Sequence, residues 1–262
     1  MKYLNKNMIV QFFNFEYQWM AYVGSIIAFI IAFYATFKLF HKYQTKKSQI
    51  VLIVASMVGF LGLAAFIDFL AFTLVHGEIV AAEIAEAYEL ISLGSALSFS
   101  FNAISNILLL EFDHRVFHSK EGRKWKYLVY VAELTVPLGI IPMVYTGGDN
   151  TAFMLIHIVC SLYVYITLSK DARDLSQKLK TESAEESVEQ KALKMIAWSG
   201  IFFILAISGF VIHEIIVMSD LPIREYYTVT AGWIFGAVAG FLIYLGFIVP
   251  VWMRERWEKK NQ

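Results

Sequence analysis

The chain has 262 residues, 58% of them hydrophobic and 16% aromatic, with a mean hydropathy of +0.58 and a formal net charge of zero. Soluble domains of this size are less apolar and arrange their apolar residues in periodic stripes; here they fall in blocks of about twenty, enough to cross a hydrocarbon core of about 30 Å. The balanced charge and the lack of a basic tract interleaved with aromatics argue against nucleic acid as a partner, and a single cysteine, Cys160, excludes an internal disulfide framework.

The first twenty residues lack the basic start, apolar centre and small-residue cleavage site of a signal peptide, so none is expected. Seven spans are predicted, at about 18–40, 50–75, 86–110, 127–146, 152–169, 195–218 and 228–252, and they form one all-α membrane domain over 1–262. The first span runs into Lys38, Lys42, Lys46 and Lys47. The second carries Asp68 about two turns before its end and His76 at that end.

Span three opens with Glu86 and Glu89. It then presents Ser92, Ser95, Ser98, Asn102, Ser105 and Asn106 at three- and four-residue spacing, which places them on one helix face. Polar groups are costly in hydrocarbon, so that face must look into the bundle. Interhelical hydrogen bonds of about 0.6 kcal/mol each are one explanation, and a water-filled pocket or conduction path is the other.

The third span ends in "LLLEFDHRVFHSKEGRKWKYL" (108–128), where Glu111, Asp113 and Arg115 precede Lys120, Arg123, Lys124 and Lys126 beside Trp125 and Tyr127. This stretch reads either as a solvated hem that anchors at the headgroups and sets orientation, or as a switch facing a partner. Span four carries Glu133 near mid-membrane, with Pro137 and Pro142 beyond it. Span five is the shortest and holds His157, Cys160 and Ser161. The following segment, 170–194, is charged and free of Pro and Gly, so it is expected to extend spans five and six as cytoplasmic helices with a turn near Thr181 to Glu185. It is a solvated connector or a docking surface for a signalling protein, with Lys178 and Lys180 as contact candidates. Span six places His213 and Glu214 about five residues below its outer end. Span seven has Trp233 and a run of Gly232, Gly236 and Gly240 that lets a helix approach closely, inside the bundle or in a homo-oligomer.

Charge placement orients the whole. Nineteen of the 22 Lys and Arg residues lie in 38–49, 111–127, 170–194 and 253–262; the other three are Lys2, Lys6 and Arg224. Seven crossings put those four basic segments on one side, and the positive-inside bias makes it the cytoplasm of a cell membrane. The N-terminus is then outside and the C-terminus inside. The outer segments carry Glu16, Glu78, Glu83, Asp149, Asp220 and Glu225.

In that orientation Asp68, His76, Glu86, Glu89, His157, His213 and Glu214 fall in one outer layer roughly 10 Å thick, capped by Tyr226, Tyr227 and Trp233, while Glu133 sits alone nearer the middle. Three readings compete. The layer lines a pocket for a small ligand or cation; or His76, His157 and His213 with Asp68 bind a metal, or two of the His a haem; or each group bonds to its neighbours.

No Gly-rich phosphate loop, nucleophile elbow or paired-Cys motif is present, so enzyme activity has no support. The seven-helix hydrolases of the ceramidase and adiponectin-receptor type carry an HxxxH on the last helix, and span seven here has no His. It has no Lys either, so a retinal Schiff base cannot form there.

The end of span three with its basic loop, "ILLLEFDHRVFHSKEGRKWKYL", and the entry to span six, "VEQKALKMIAWSGIFFILAISG", resemble the seven-helix N-terminal sensor region of prokaryotic histidine kinases. The resemblance covers the order, size and topology of 18–252. No coiled connector or kinase follows Trp257, so it implies a stand-alone sensor that signals through another protein. The expected function is thus a receptor-like membrane sensor, with a transporter or channel, a metal or haem protein, and an accessory subunit of a membrane complex as alternatives.

Overall fold

The computed structural model describes residues 15–76, 84–118, 124–146, 151–182, 187–218 and 226–258. The predicted outer acids Glu78, Glu83, Asp149, Asp220 and Glu225, and the loop cations Lys120, Arg123 and Arg224, lie outside them. The described residues form eight helices: α1 (Phe15–Lys46), α2 (Gln49–His76), α3 (Ile84–Phe117), α4 (Lys124–Thr146), α5 (Thr151–Glu182), α6 (Val188–Met218), α7 (Tyr226–Ile248) and α8 (Val251–Glu258). α1 to α7 each contain a stretch long and apolar enough to cross a membrane, so the chain is built as a multi-pass membrane protein.

The helices pack as a ring. α1 lies between α2 and α7, α2 contacts α3, α3 contacts α5, α5 contacts α6, and α6 closes onto α7. α4 stands outside this ring in the groove between α3 and α5. Its outward face carries Leu128, Val131 and Leu138, each more than 60% exposed, which is the surface expected of a helix bathed in lipid.

Connections at one end follow from local chemistry. The α1–α2 turn is closed by Lys47 at φ 51°, whose N–H bonds to the Tyr43 carbonyl at 2.7 Å. α6 starts at a reciprocal capping box: the Ser187 N–H donates to Gln190 Oε1 at 2.8 Å and the Gln190 N–H donates to Ser187 Oγ at 3.2 Å. The predicted seventh span, 228–252, is shorter in the structure. Pro250 has no N–H and disfavours helical geometry in the residue before it, so α7 ends at Ile248 and Val249 takes φ 43°. The terminal carbonyl of Phe247 is met instead by Lys42 Nζ at 3.1 Å. α8 then turns away, with Met253 buried and Trp257 packed on the core near Lys191.

With Ser176 Oγ of α5 donating to the Gln190 carbonyl of α6 at 3.3 Å, these contacts join the basic ends of α1, α5, α6 and α7, so the cationic segments cluster at one end of the bundle. Packing in that half is apolar. Met57, Leu109, Leu110, Phe112, Leu168 and Ile243 are at most 1% exposed, and Tyr165 stacks on Phe203 with centroids 4.8 Å apart. Helices also meet through glycine. A side chain at Gly209 of α6 would come within 2.8 Å of the Thr228 carbonyl and 3.0 Å of the Gly232 nitrogen, so α6 and α7 touch backbone to backbone there. Gly232, Gly236 and Gly240 are all buried against α6 or α2, which places this glycine face inside the bundle and not on an oligomer surface.

Candidate functional site

The small polar stripe of α3 divides among three neighbours. Ser105 Oγ donates to the Met57 carbonyl of α2 at 3.0 Å, a packing bond. Asn106 is buried at the meeting of α3, α4 and α5. Its Nδ2 donates to Glu133 Oε1 at 2.9 Å and to Ser161 Oγ at 2.7 Å, and its Oδ1 accepts from Tyr165 Oη at 2.8 Å. The other oxygen of Glu133 lies 2.8 Å from His157 Nδ1. Glu133 and His157 are both completely buried.

This set closes as hydrogen-bond bookkeeping. If His157 carries its proton on Nδ1 it donates to Glu133, and its Nε2 is left as an acceptor facing Asn102 Nδ2 at 3.4 Å. Each carboxylate oxygen of Glu133 then receives one donor, and both Asn106 amide hydrogens are used. Phe99 stands edge-on to the His157 ring, 5.7 Å between centroids. Glu133 is therefore not the solitary group expected near mid-membrane. It is bonded to His157, a residue expected in the outer layer. Pro137, four residues on, cannot donate to the Glu133 carbonyl, so α4 lacks one helical bond at this level.

A second group lies toward the end opposite the basic one. A cavity of about 90 Å³ is lined by Asp68, Ser95, Ser98, Phe99, Asn102, Phe210, His213, Val229 and Trp233, contributed by α2, α3, α6 and α7. Asp68 is 9% exposed and accepts a hydrogen bond from Trp233 Nε1 at 2.9 Å. Phe210 meets the Trp233 ring at 5.2 Å in a near-perpendicular arrangement. One wall is thus a carboxylate fixed by an indole, and the others are aromatic faces, hydroxyls and an amide. Asn102 belongs to both groups: it lines the cavity and faces His157.

The candidates from sequence therefore separate. Asp68, His213, Asn102 and Trp233 come together at the cavity, while Asn106, Glu133 and His157 form the buried network beside it. The side chains of His76, Glu86, Glu89 and Glu214 lie outside the described residues. Asp68, His157 and His213, proposed as metal ligands, do not form a three-ligand cluster. Among the described residues the set with one ligand atom apiece within 4.8 Å of one another is Asp113, His118 and Asp171, at the basic end. Ser161 and Tyr165, which complete the buried network, were not singled out as site residues. A serine and a tyrosine in an apolar run look like ordinary membrane-helix residues, and only their shared face with His157 at four-residue steps hints at a role.

The charged stretch after α3 also resolves into contacts. Glu111 pairs with Arg115 one turn on, accepts from Tyr130 Oη of α4 at 2.6 Å and lies 3.7 Å from Lys126. Arg115 also donates to Gln49 Oε1, the first residue of α2, at 2.9 Å. The box thus ties three helices together within the chain. Asp113 points elsewhere, 1% exposed, while Lys178 and Lys180 are exposed on α5. Comparison with protein-family models, curated proteins and solved structures gives no match for the chain.

Proposed function

We propose that this chain is a receptor-like membrane sensor whose input is a small ligand, cation or proton entering the cavity around Asp68. The observation that supports this reading is the polar path. It leads from the cavity through Asn102 to His157, Glu133 and Asn106 and ends at Tyr165 against a close-packed apolar layer. A polar path that starts at a cavity and stops at an apolar layer suits a group that is read, more than one that is passed through. With the basic end taken as cytoplasmic on the positive-inside bias, the cavity faces outward. A change at Asp68 or His157 would then bias the packing of α3, α4 and α5 and reach the Glu111–Arg115 knot and the α5–α6 hairpin, where a cytoplasmic partner would bind.

The test is a pair of spin labels at the basic end, at positions 41 and 178, in purified protein whose Cys160 has been replaced by Ser. The distance is followed while pH is lowered or methylammonium is added. A change that Asp68→Asn and His213→Ala both remove, with the variants still folded, supports the reading. An unchanged response in both variants means the cavity is not the input.

A carrier is the second reading. It is favoured by one specific feature, the bonded Glu133–His157 pair inside the span, since protonatable pairs at this depth mark proton relays in pumps and transporters.

A further inference from the structure

At the basic end, α3 and α5 bring a second set of chemistry-bearing side chains together, and neither the cavity nor the buried network uses it. Asp113 lies in the last turn of α3 and is 1% exposed. His118 follows the helix, with its backbone N–H still bonded to the His114 carbonyl at 3.0 Å, so its backbone continues the last turn of α3. Asp171 projects from α5, and its Oδ2 is 2.6 Å from His118 Nε2. The His118 and Asp171 side chains are 15% and 9% exposed.

We propose that Asp113, His118 and Asp171 form a binding site for a borderline divalent cation of the Zn²⁺ or Mn²⁺ type. The reasoning is one of charge and ligand type. Two carboxylates and an imidazole offer the negative charge and the mixed oxygen and nitrogen donors that such a cation takes. One ligand atom from each residue already lies within 4.8 Å of the others. Ligands at about 2.1 Å from a shared ion sit roughly 3.4 Å apart, so small rotamer changes close the set. An imidazole with two carboxylates suits zinc, manganese or ferrous iron, whereas calcium and magnesium prefer oxygen alone. Three protein ligands leave further positions for water. The ion would sit between His118 Nε2 and Asp171 Oδ2 in place of their present contact. An ion here would clamp the C-terminal end of α3 to α5, whether or not the cavity is a sensor input.

The experiment uses the full chain in detergent after chelator treatment. Titration calorimetry with Zn²⁺, and Mn²⁺ electron-spin-echo spectra, should show one ion per chain and modulation from a histidine nitrogen. His118→Gln should remove that nitrogen signal, and His118→Gln and Asp171→Asn should each weaken affinity tenfold or more. Mg²⁺ should neither bind with comparable affinity nor compete. Should Asp113→Asn fail to fold, the other two variants still decide. The proposal is overturned if no ion binds, if Mg²⁺ binds as well as Zn²⁺, or if the nitrogen signal and affinity survive in His118→Gln, which would mean surface adsorption or a purely structural ion pair.

Discussion

Glu133 of α4 and His157 of α5 face each other at 2.8 Å with neither side chain reaching solvent or lipid. Hydrogen bonds between membrane helices average about 0.6 kcal/mol, so an ordinary bond here would matter little. This pair differs because removing one partner leaves a buried carboxylate or ring with its donors and acceptors unmatched, at a cost of about 1–3 kcal/mol or more. His157→Ala should therefore lower thermal stability more than Ser105→Ala, which loses one hydroxyl-to-carbonyl bond. A double-mutant cycle between Glu133→Gln and His157→Gln should give a coupling above about 0.5 kcal/mol, and additive losses would show that the two do not act together.

The backbone contact at Gly209 sets a steric prediction. Gly209→Leu drives side-chain atoms into the Thr228 carbonyl and the Gly232 backbone, neither of which can move alone. Folded protein should fall sharply on size-exclusion chromatography. Gly236→Ala is the control: the nearest atom to a new Cβ is that of Ala206 at 3.9 Å, ordinary contact, so it should behave as the parent. Equal behaviour of the two would contradict the packing of α6 on α7.

Tyr130→Phe removes the donor to Glu111 and leaves Arg115 and Lys126 beside the carboxylate. A loss of about 1 kcal/mol is expected from the missing hydroxyl. Arg115→Ala should cost less than about 1 kcal/mol, because Arg115 is 40% exposed and solvent screens its pairing with Glu111. Chemical unfolding of the two variants side by side gives the order, and a larger effect of Arg115→Ala would make Gln49 the dominant partner.

The seven crossings were legible in the sequence because each needs about twenty apolar residues, and no other architecture demands such blocks. Span seven stops short of its expected limit at 252 because Pro250, with its missing N–H, ends α7 at Ile248. Depth counted at 1.5 Å per residue separates Glu133 from His157, yet the two meet at 2.8 Å. What hydropathy does not carry is the rotation of each helix about its own axis. Helices that are apolar nearly all round give no marked face to aim, so the partner of Glu133 could not be named. The pairing of Asp68 with Trp233 depends on α7 closing the ring against α2, 165 residues away. Likewise, the His118–Asp171 contact needs α3 and α5 to be neighbours across α4, which the order of helices in the chain does not imply.

Proteoliposomes containing the purified chain, loaded with a pH-sensitive dye and clamped with a potassium diffusion potential, test the central claim most directly. A path that ends blind at Tyr165 and the apolar layer predicts proton flux no greater than in protein-free vesicles, at neutral and at acidic outer pH. Sustained flux that Glu133→Gln abolishes would contradict it and make the polar path a route across the membrane.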